Sequence, residues 1–302
     1  MHLWPGDWRA QLKCMNSRIR AINQQKKRGS RRVRGMNEVS EQEFWIFWGL
    51  IIVARVMGQK GNLWDKCEPE GEGHRIDYSK YMNEINHRDI RSVIPYLFAD
   101  PTKQETDPWW QIAKLIDGFN FNRRQYICSS NVHVLDESMS AFCPQSRKTG
   151  NLPHLSHILR KPEPLGTEFK VLADTWTNIL LHLEIQKGKA EMMNAKYVST
   201  HKATAANVMR MSEYTKRTTN ATAEGESCPV PAQTYLGDSW FTSIQAATEL
   251  ALRGDHYIGV LKTNHAGFPR KYLENTMKDW PAGSHLVMET KTVNNIGLLA
   301  IG

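Results

Sequence analysis

A chain of 302 residues, 40% hydrophobic and 23% charged, has material for two domains or one large domain with an insertion, and enough apolar side chains for a buried core. Its longest uncharged apolar run, Phe44 to Ala54, stops after eleven residues at Arg55, short of the about 20 that a spanning helix needs, and no apolar N-terminal segment resembles a signal peptide. No membrane span and no secretion are expected, and the net charge of +8 is concentrated in one place.

That place is the beginning of the chain. Lys13, Arg18, Arg20, Lys26, Lys27, Arg28, Arg31, Arg32 and Arg34 run without an intervening acid, which leaves 30 basic against 31 acidic residues elsewhere. Residues 1–37 are expected to form a disordered basic arm suited to phosphate contacts or nuclear import, the competing reading being a solvated tail with no partner. Five cysteines at 14, 67, 128, 143 and 228 are scattered and form no Cys-x-x-Cys pair, a pattern of thiols in a reducing compartment and not of a disulfide framework. Cys143 followed by His154 and His157 is the nearest approach to a zinc site, and it lacks a fourth ligand at defined spacing.

A helical domain is expected over residues 38–130. Ser40 and Glu43 make a capping-box pattern, Gly58 closes the helix they open, and Phe44, Phe47, Trp48, Ile51, Ile52 and Met57 leave it almost no polar face, so burial is expected. Residues 76–97 give a second helical passage with Tyr78, Tyr81, Ile85, Ile90, Ile94 and Leu97 on one face. Residues 109–121 give a third through Ile112, Leu115, Ile116 and Phe119.

At about Asn131 the periodicity changes to two. Val132 and Val134 lead to Asp136, read as the end of a strand at a hydrated edge, while the adjacent Glu137 points to the other face. Residues 144–170 carry Arg147, Lys148, His154, His157, Arg160, Lys161 and Lys170 against Glu163 and Glu168. Pro153, Pro162 and Pro164 make this an extended basic loop beside Asp136, or a solvated one. Phe169–Ala173 and Ile179–Ile185 read as a hairpin that adds two antiparallel strands, and the helix over residues 203–214 covers the sheet with its methionines in the core.

After a mobile connection at 218–231, Tyr235 and Leu236 end a strand, Gly237 permits a close bend, and Asp238 precedes a helix capped by Thr242 with Gln245 and closed by Gly254. Trp240 and Phe241 are read as packing residues. A last core strand is expected at 257–261, followed by Lys262, and residues 270–302 give a short helix and two β-like runs. Two strands that each finish on an acid can, if they lie side by side, present both carboxylates to one divalent cation. Asp136 and Asp238 are therefore the candidate metal ligands, against the plainer reading of a turn residue and a helix cap.

The same residues carry a family resemblance. Asp136, Glu137 and Met139, then Arg160, Lys161 and Pro162, then Gly166, Phe169, Lys170 and Val171, then Gly237, Asp238, Trp240, Phe241, Thr242 and Ser243 resemble, in order and spacing, the DDE domain of piggyBac-type transposases over residues 40–300. The resemblance implies an α/β fold with a ribonuclease-H-like mixed sheet flanked by helices, here residues 131–268, behind a helical N-terminal domain and followed at 269–302 by the start of an insertion domain. It also implies nuclear DNA cut-and-paste chemistry on transposon ends and target DNA, Mg²⁺ or Mn²⁺ at Asp136 and Asp238 as catalytic ligands, and a homodimeric partner. Arg147, Lys148, Arg160, Lys161 and Lys262 are the candidate nucleic-acid contacts. The third carboxylate of the DDE set has no assignable residue here, so the chain is expected to be a truncated piece that is inactive in cleavage. The alternatives are a domesticated DNA-binding protein without catalysis and an unrelated α/β binding module.

Overall fold

Trp8, Leu12, Met15, Ile19 and Ile22 recur along one helix face, and helix α1 (Trp8–Lys27) follows, with Met15 and Ile19 buried and Arg9, Lys13 and Arg20 turned outward. This corrects the expected disordered arm, because an apolar stripe at helical spacing runs through the charge run. Asn16 and Asn23, two turns apart, clasp an extended segment. Asn16 exchanges bonds of 2.9 and 2.8 Å with the backbone of Val39, and Asn23 exchanges bonds of 2.8 and 3.0 Å with that of Met36.

The structure is a computed structural model that describes residues 4, 6–27, 35–58, 63–64, 76–94, 99–141, 153–159, 161–162, 164–215, 231–261, 265, 267–292 and 294–302. Arg28, Arg31, Arg32 and Arg34, Leu97, and the connection at 218–230 lie outside them. The chain divides into two compact units, Met1–Gly118 and Phe119–Gly302.

The first unit is helical. Helix α2 (Glu41–Val56) starts on the expected capping box, in which Ser40 and Glu43 satisfy each other's backbone N–H groups. Its Phe44, Phe47, Leu50 and Ala54 pack with Trp8, Met15 and Ile19 of α1. The expected all-round burial is corrected, since Ile52, Val56 and Met57 are exposed. The 76–97 passage is two pieces, a 3₁₀ turn at Tyr78–Lys80 and helix α3 (Glu84–Val93), because the Asn83 side chain accepts from Asn86 N and starts the second afresh. Ile90 and Val93 join the core, while Tyr81 and Ile85 face outward. The unit boundary falls within α4 (Ala113–Tyr126).

The second unit is a mixed sheet flanked by helices, as the resemblance implied. Strand β1 (Val132–Ala141) lies in the middle. On one side β3 (Leu165–Asp174) pairs with it antiparallel, and β3 in turn pairs antiparallel with β4 (Leu180–Ile185) and the short β2 (Ser156–His157). On the other side β5 (Thr234–Gly237) and β6 (His256–Gly259) run parallel to it, joined by helix α7 (Ile244–Leu252). Parallel neighbours need such a crossover, which is why the pattern of two short strands and an intervening amphipathic helix was readable. A short helix α5 (Lys189–Met192) precedes α6 (Ala203–Ser212), and α8 (Arg270–Met277) precedes a separate hairpin of β7 (Val287–Lys291) and β8 (Gly297–Ile301).

Period-two alternation sends Leu135 of β1, Leu172 of β3 and Tyr235 of β5 to one face. There they pack on Ala205, Val208, Met209 and Met211 of α6 and Ala246 and Leu250 of α7. The methionines are core residues, as expected.

At the far end of this sheet the β3–β4 turn is pinned by one carboxylate. Asp174, buried, accepts from Ser130 N (2.7 Å) and Oγ (2.5 Å) and from Thr177 N (2.8 Å) and Oγ1 (2.7 Å). Burial pushes its carboxyl up, but the combined bonds from Ser130 and Thr177 outweigh that and hold it at about 2. Asp174→Ala strands four donors and is expected to lose about 2–4 kcal/mol in urea unfolding at neutral pH. Because the folded value lies below the ordinary 3.8, the charge-dependent share is fully present above that value and disappears as pH falls through about 2. The gap between wild type and variant should narrow across that window.

Candidate functional site

Strand β1 does not end at Asp136. It continues to Ala141 against β3, with Asp136 opposite Val171. Its parallel neighbour is shorter: the β1–β5 register stops at Leu135 opposite Gly237. Asp136 and Asp238 are thus the next residue on each chain, at the point where β1 loses β5 as a neighbour. Alternation assigns both to the face opposite Glu137, and adjacent strands lie ~4.8 Å apart, a scale on which two carboxylates can address one cation. The sequence placed Asp136 at a strand tip, whereas the notch is made by the end of its neighbour.

Asp136 is exposed. Its Oδ1 accepts from Glu137 N at 2.7 Å, and no described residue bonds to Oδ2. Asp238 is half-buried, and its Oδ1 accepts from Trp240 N (2.8 Å) and Phe241 N (3.3 Å), again leaving Oδ2 unused among the described residues. The turn reading of Asp238 and the ligand reading are therefore compatible, since one oxygen serves each. The expected cap is corrected by one residue: Ser243, not Thr242, caps α7 and accepts from Ala246 N, and Gln245 accepts instead from Lys202 N.

Thr242 has another task. Its Oγ1 donates to Asp238 O (2.7 Å) and lies 3.1 Å from Tyr257 Oη of β6. Burial pushes the Tyr257 phenol up to about 12, the nearby Asp238 charge adding to it and the Thr242 bond opposing, so Tyr257 stays a neutral buttress beneath the turn. Two glycines make room for it. A Cβ on Gly237 would sit 2.1 Å from Tyr257 Oη, and one on Gly259 would sit 2.1 Å from Thr242 Oγ1. Sequence reasoning found Gly237 but missed Tyr257 and Gly259, although a glycine inside a strand marks close approach.

On the opposite face Glu137 is buried, with Lys161 Nζ 3.7 Å from its Oε1 and donating to its backbone carbonyl at 3.4 Å. Lys161 is the one candidate nucleic-acid contact within the described residues. Arg147, Lys148, Arg160 and Lys262 lie outside them. The donor set at the notch is oxygen only, the kind a hard divalent cation takes. Two acids stand one position past the end of the β1–β5 register there, and no group of three or more His, Cys, Asp or Glu suited to a metal gathers among the described residues.

Residues 10–301 match the model of the family described as Transposase IS4. Among solved structures, a piggyBac transposase synaptic complex with hairpin DNA, determined by cryo-electron microscopy, is similar at 17% identity with a TM-score of 0.67. The match covers 99% of this chain and 59% of that one, and at that identity the likeness is one of fold. No curated protein matches.

Gly237→Ala drives a methyl into a buried hydroxyl and a side chain whose Cβ is 3.0 Å away. It is expected to destabilise the chain by about 1–3 kcal/mol in urea unfolding, with Tyr257→Phe in the same chain recovering part of the loss.

Proposed function

The chain belongs to the Transposase IS4 family, and on that premise we propose that it is the DNA-binding and metal-ligating part of a piggyBac-like transposase acting by phosphodiester cleavage and strand transfer. Family membership sets aside the unrelated binding module. The observation that carries the reading is the register of Leu135 against Gly237, which leaves Asp136 and Asp238 at neighbouring positions, each with one carboxylate oxygen unused by the described residues.

In this reading Asp136 and Asp238 would hold Mg²⁺ or Mn²⁺, the Oδ2 of each being unused by the described residues. Such an ion, when bound, supplies Lewis acidity toward a phosphodiester and its leaving oxygen. The chain's own residues fix the ligands. Trp240 N and Phe241 N occupy Oδ1 of Asp238, Glu137 N occupies Oδ1 of Asp136, and Thr242 on Tyr257 holds the turn from below. Lys161, beside β1 at Glu137, is a phosphate contact together with Arg147, Lys148, Arg160 and Lys262, which position DNA without reading its sequence. The partners are transposon-end and target DNA and a second copy of the chain, and the compartment is the nucleus. No helix of the described residues is long and apolar enough to cross a membrane. Residues 131–268 are the ribonuclease-H-like core, and the β7–β8 hairpin, a sheet of its own, is assigned to the insertion that begins at 269.

Two acids bind a divalent cation weakly and do not fix two ions in line, so this chain by itself is inactive in strand cleavage. Calorimetric titration with Mn²⁺ should give a weak site, on the order of 10⁻⁴–10⁻³ M, lost in Asp136→Asn and in Asp238→Asn. Gel-shift titrations on duplex DNA should weaken with salt, and Arg160→Ala with Lys161→Ala should lower the slope of log K against log[salt] by about 2. No nicking is expected with Mg²⁺ or Mn²⁺. Efficient nicking by this chain would overturn the two-acid account, and Mn²⁺ binding unaffected by either Asn variant would remove the site.

A further inference from the structure

A lysine at a buried sheet position needs a physical reason, since desolvating an ammonium is costly and Leu or Met would fill the same volume. Lys170, in the middle of β3, is 2% exposed and lies opposite Glu137 on one side and Glu184 on the other. Its Nζ is 2.6 Å from Glu168 Oε1, 3.4 Å from the centroid of the Trp240 ring and 5.3 Å from that of Phe241. Those two rings belong to the residues whose backbone N–H groups hold Asp238 Oδ1.

We infer that Lys170 is a positioning residue for Asp238, acting through Trp240 and Phe241. The ammonium sits on the rings from within the sheet, the rings fix the turn that leaves β5, and the turn's amides hold one carboxylate oxygen so that the other faces the notch. A cation over an aromatic face is attracted most strongly where water is excluded, which burial of this lysine ensures. Strand β3 thereby sets the geometry of an acid on a chain segment two strands away, past β1. The inference rests on the reading of Asp238 as a metal ligand, yet the clamp itself is observable without metal.

The test uses the full chain and peptide-resolved hydrogen exchange over residues 237–243, with the strand peptide 132–136 as internal control. Lys170→Met combined with Glu168→Gln removes the cation together with the charge of the carboxylate 2.6 Å from it. It should speed exchange of the Trp240 and Phe241 amides about tenfold relative to the control. Lys170→Arg, which keeps charge and can stack on the ring, should stay within about threefold of wild type. Trp240→Leu leaves Lys170 and Glu168 in place and should reproduce the loss, so a failure of the double variant to fold does not decide the matter.

Mn²⁺ titration of the same variants should show affinity falling with the local protection. Faster exchange in 237–243 together with no Mn²⁺ binding even by wild type would uphold the clamp and sink the metal reading. Unchanged protection of 237–243 in a folded variant lacking the cation or the Trp240 ring would overturn the inference, as would an equal rise in the control peptide, which marks plain loss of stability.

Discussion

The pairing of β1 with β5 ends after four residues, and much of the site follows from where it ends. A strand paired on both sides has its backbone N–H and C=O groups committed and its side chains crowded by neighbours. Past Leu135 and Gly237, β1 keeps β3 and loses β5, so one edge opens at the level of Asp136. On the other chain the same point is where Asp238 turns away toward α7. Among the described residues the notch is made by a difference in strand length, ten residues against four. Because register fixes it, a slip by one residue would send Asp136 to the helix-covered face and Glu137 to the notch.

That constraint explains why two consecutive acids live in different environments. Asp136 is exposed, while Glu137 is buried opposite Lys170 and beside Lys161. The buried face also carries Glu184, which takes Arg210 Nε at 2.6 Å and Asn207 Nδ2 at 2.8 Å, so α6 is tied to β4 by charge as well as by its methionines. Pairs of this kind contribute little net stability but penalise any register that leaves one partner behind. His182 on the same face stacks on Tyr214 with ring centroids 3.4 Å apart, and burial with Arg210 nearby holds it down at about 3. It is a neutral ring at ordinary pH, a packing residue.

Elements whose signal is local were legible in the sequence. The Ser40 capping box, the β3–β4 hairpin with its turn residues, the methionine-bearing helix and the strand before Gly237 all depend on residues within a few positions of one another, and each lies close to where it was expected. The readings that failed depended on weighing two local signals or on a distant partner. Charge density masked the apolar stripe of α1, and Asn83 divided a passage whose apolar spacing looked continuous. Asp136 was read as a terminus because nothing near it in the chain tells that β3 carries the strand on to Ala141. Tyr257 and Gly259 sit about twenty residues beyond Asp238, and only the β5–β6 register brings them beneath it.

The turn at Asp238 is held from two directions. From β6, Tyr257 supports Thr242, and Gly237 and Gly259 clear the space for that contact. From β3, the Lys170 ammonium engages the Trp240 ring. The two supports differ in kind: the first is steric and hydroxyl-mediated with no net charge, and the second is a buried cation. A cation in direct contact with the carboxylate would compete with any metal for the same oxygens. Placing the cation on the Trp240 ring avoids that competition, while its packing still fixes the amides that bind Oδ1.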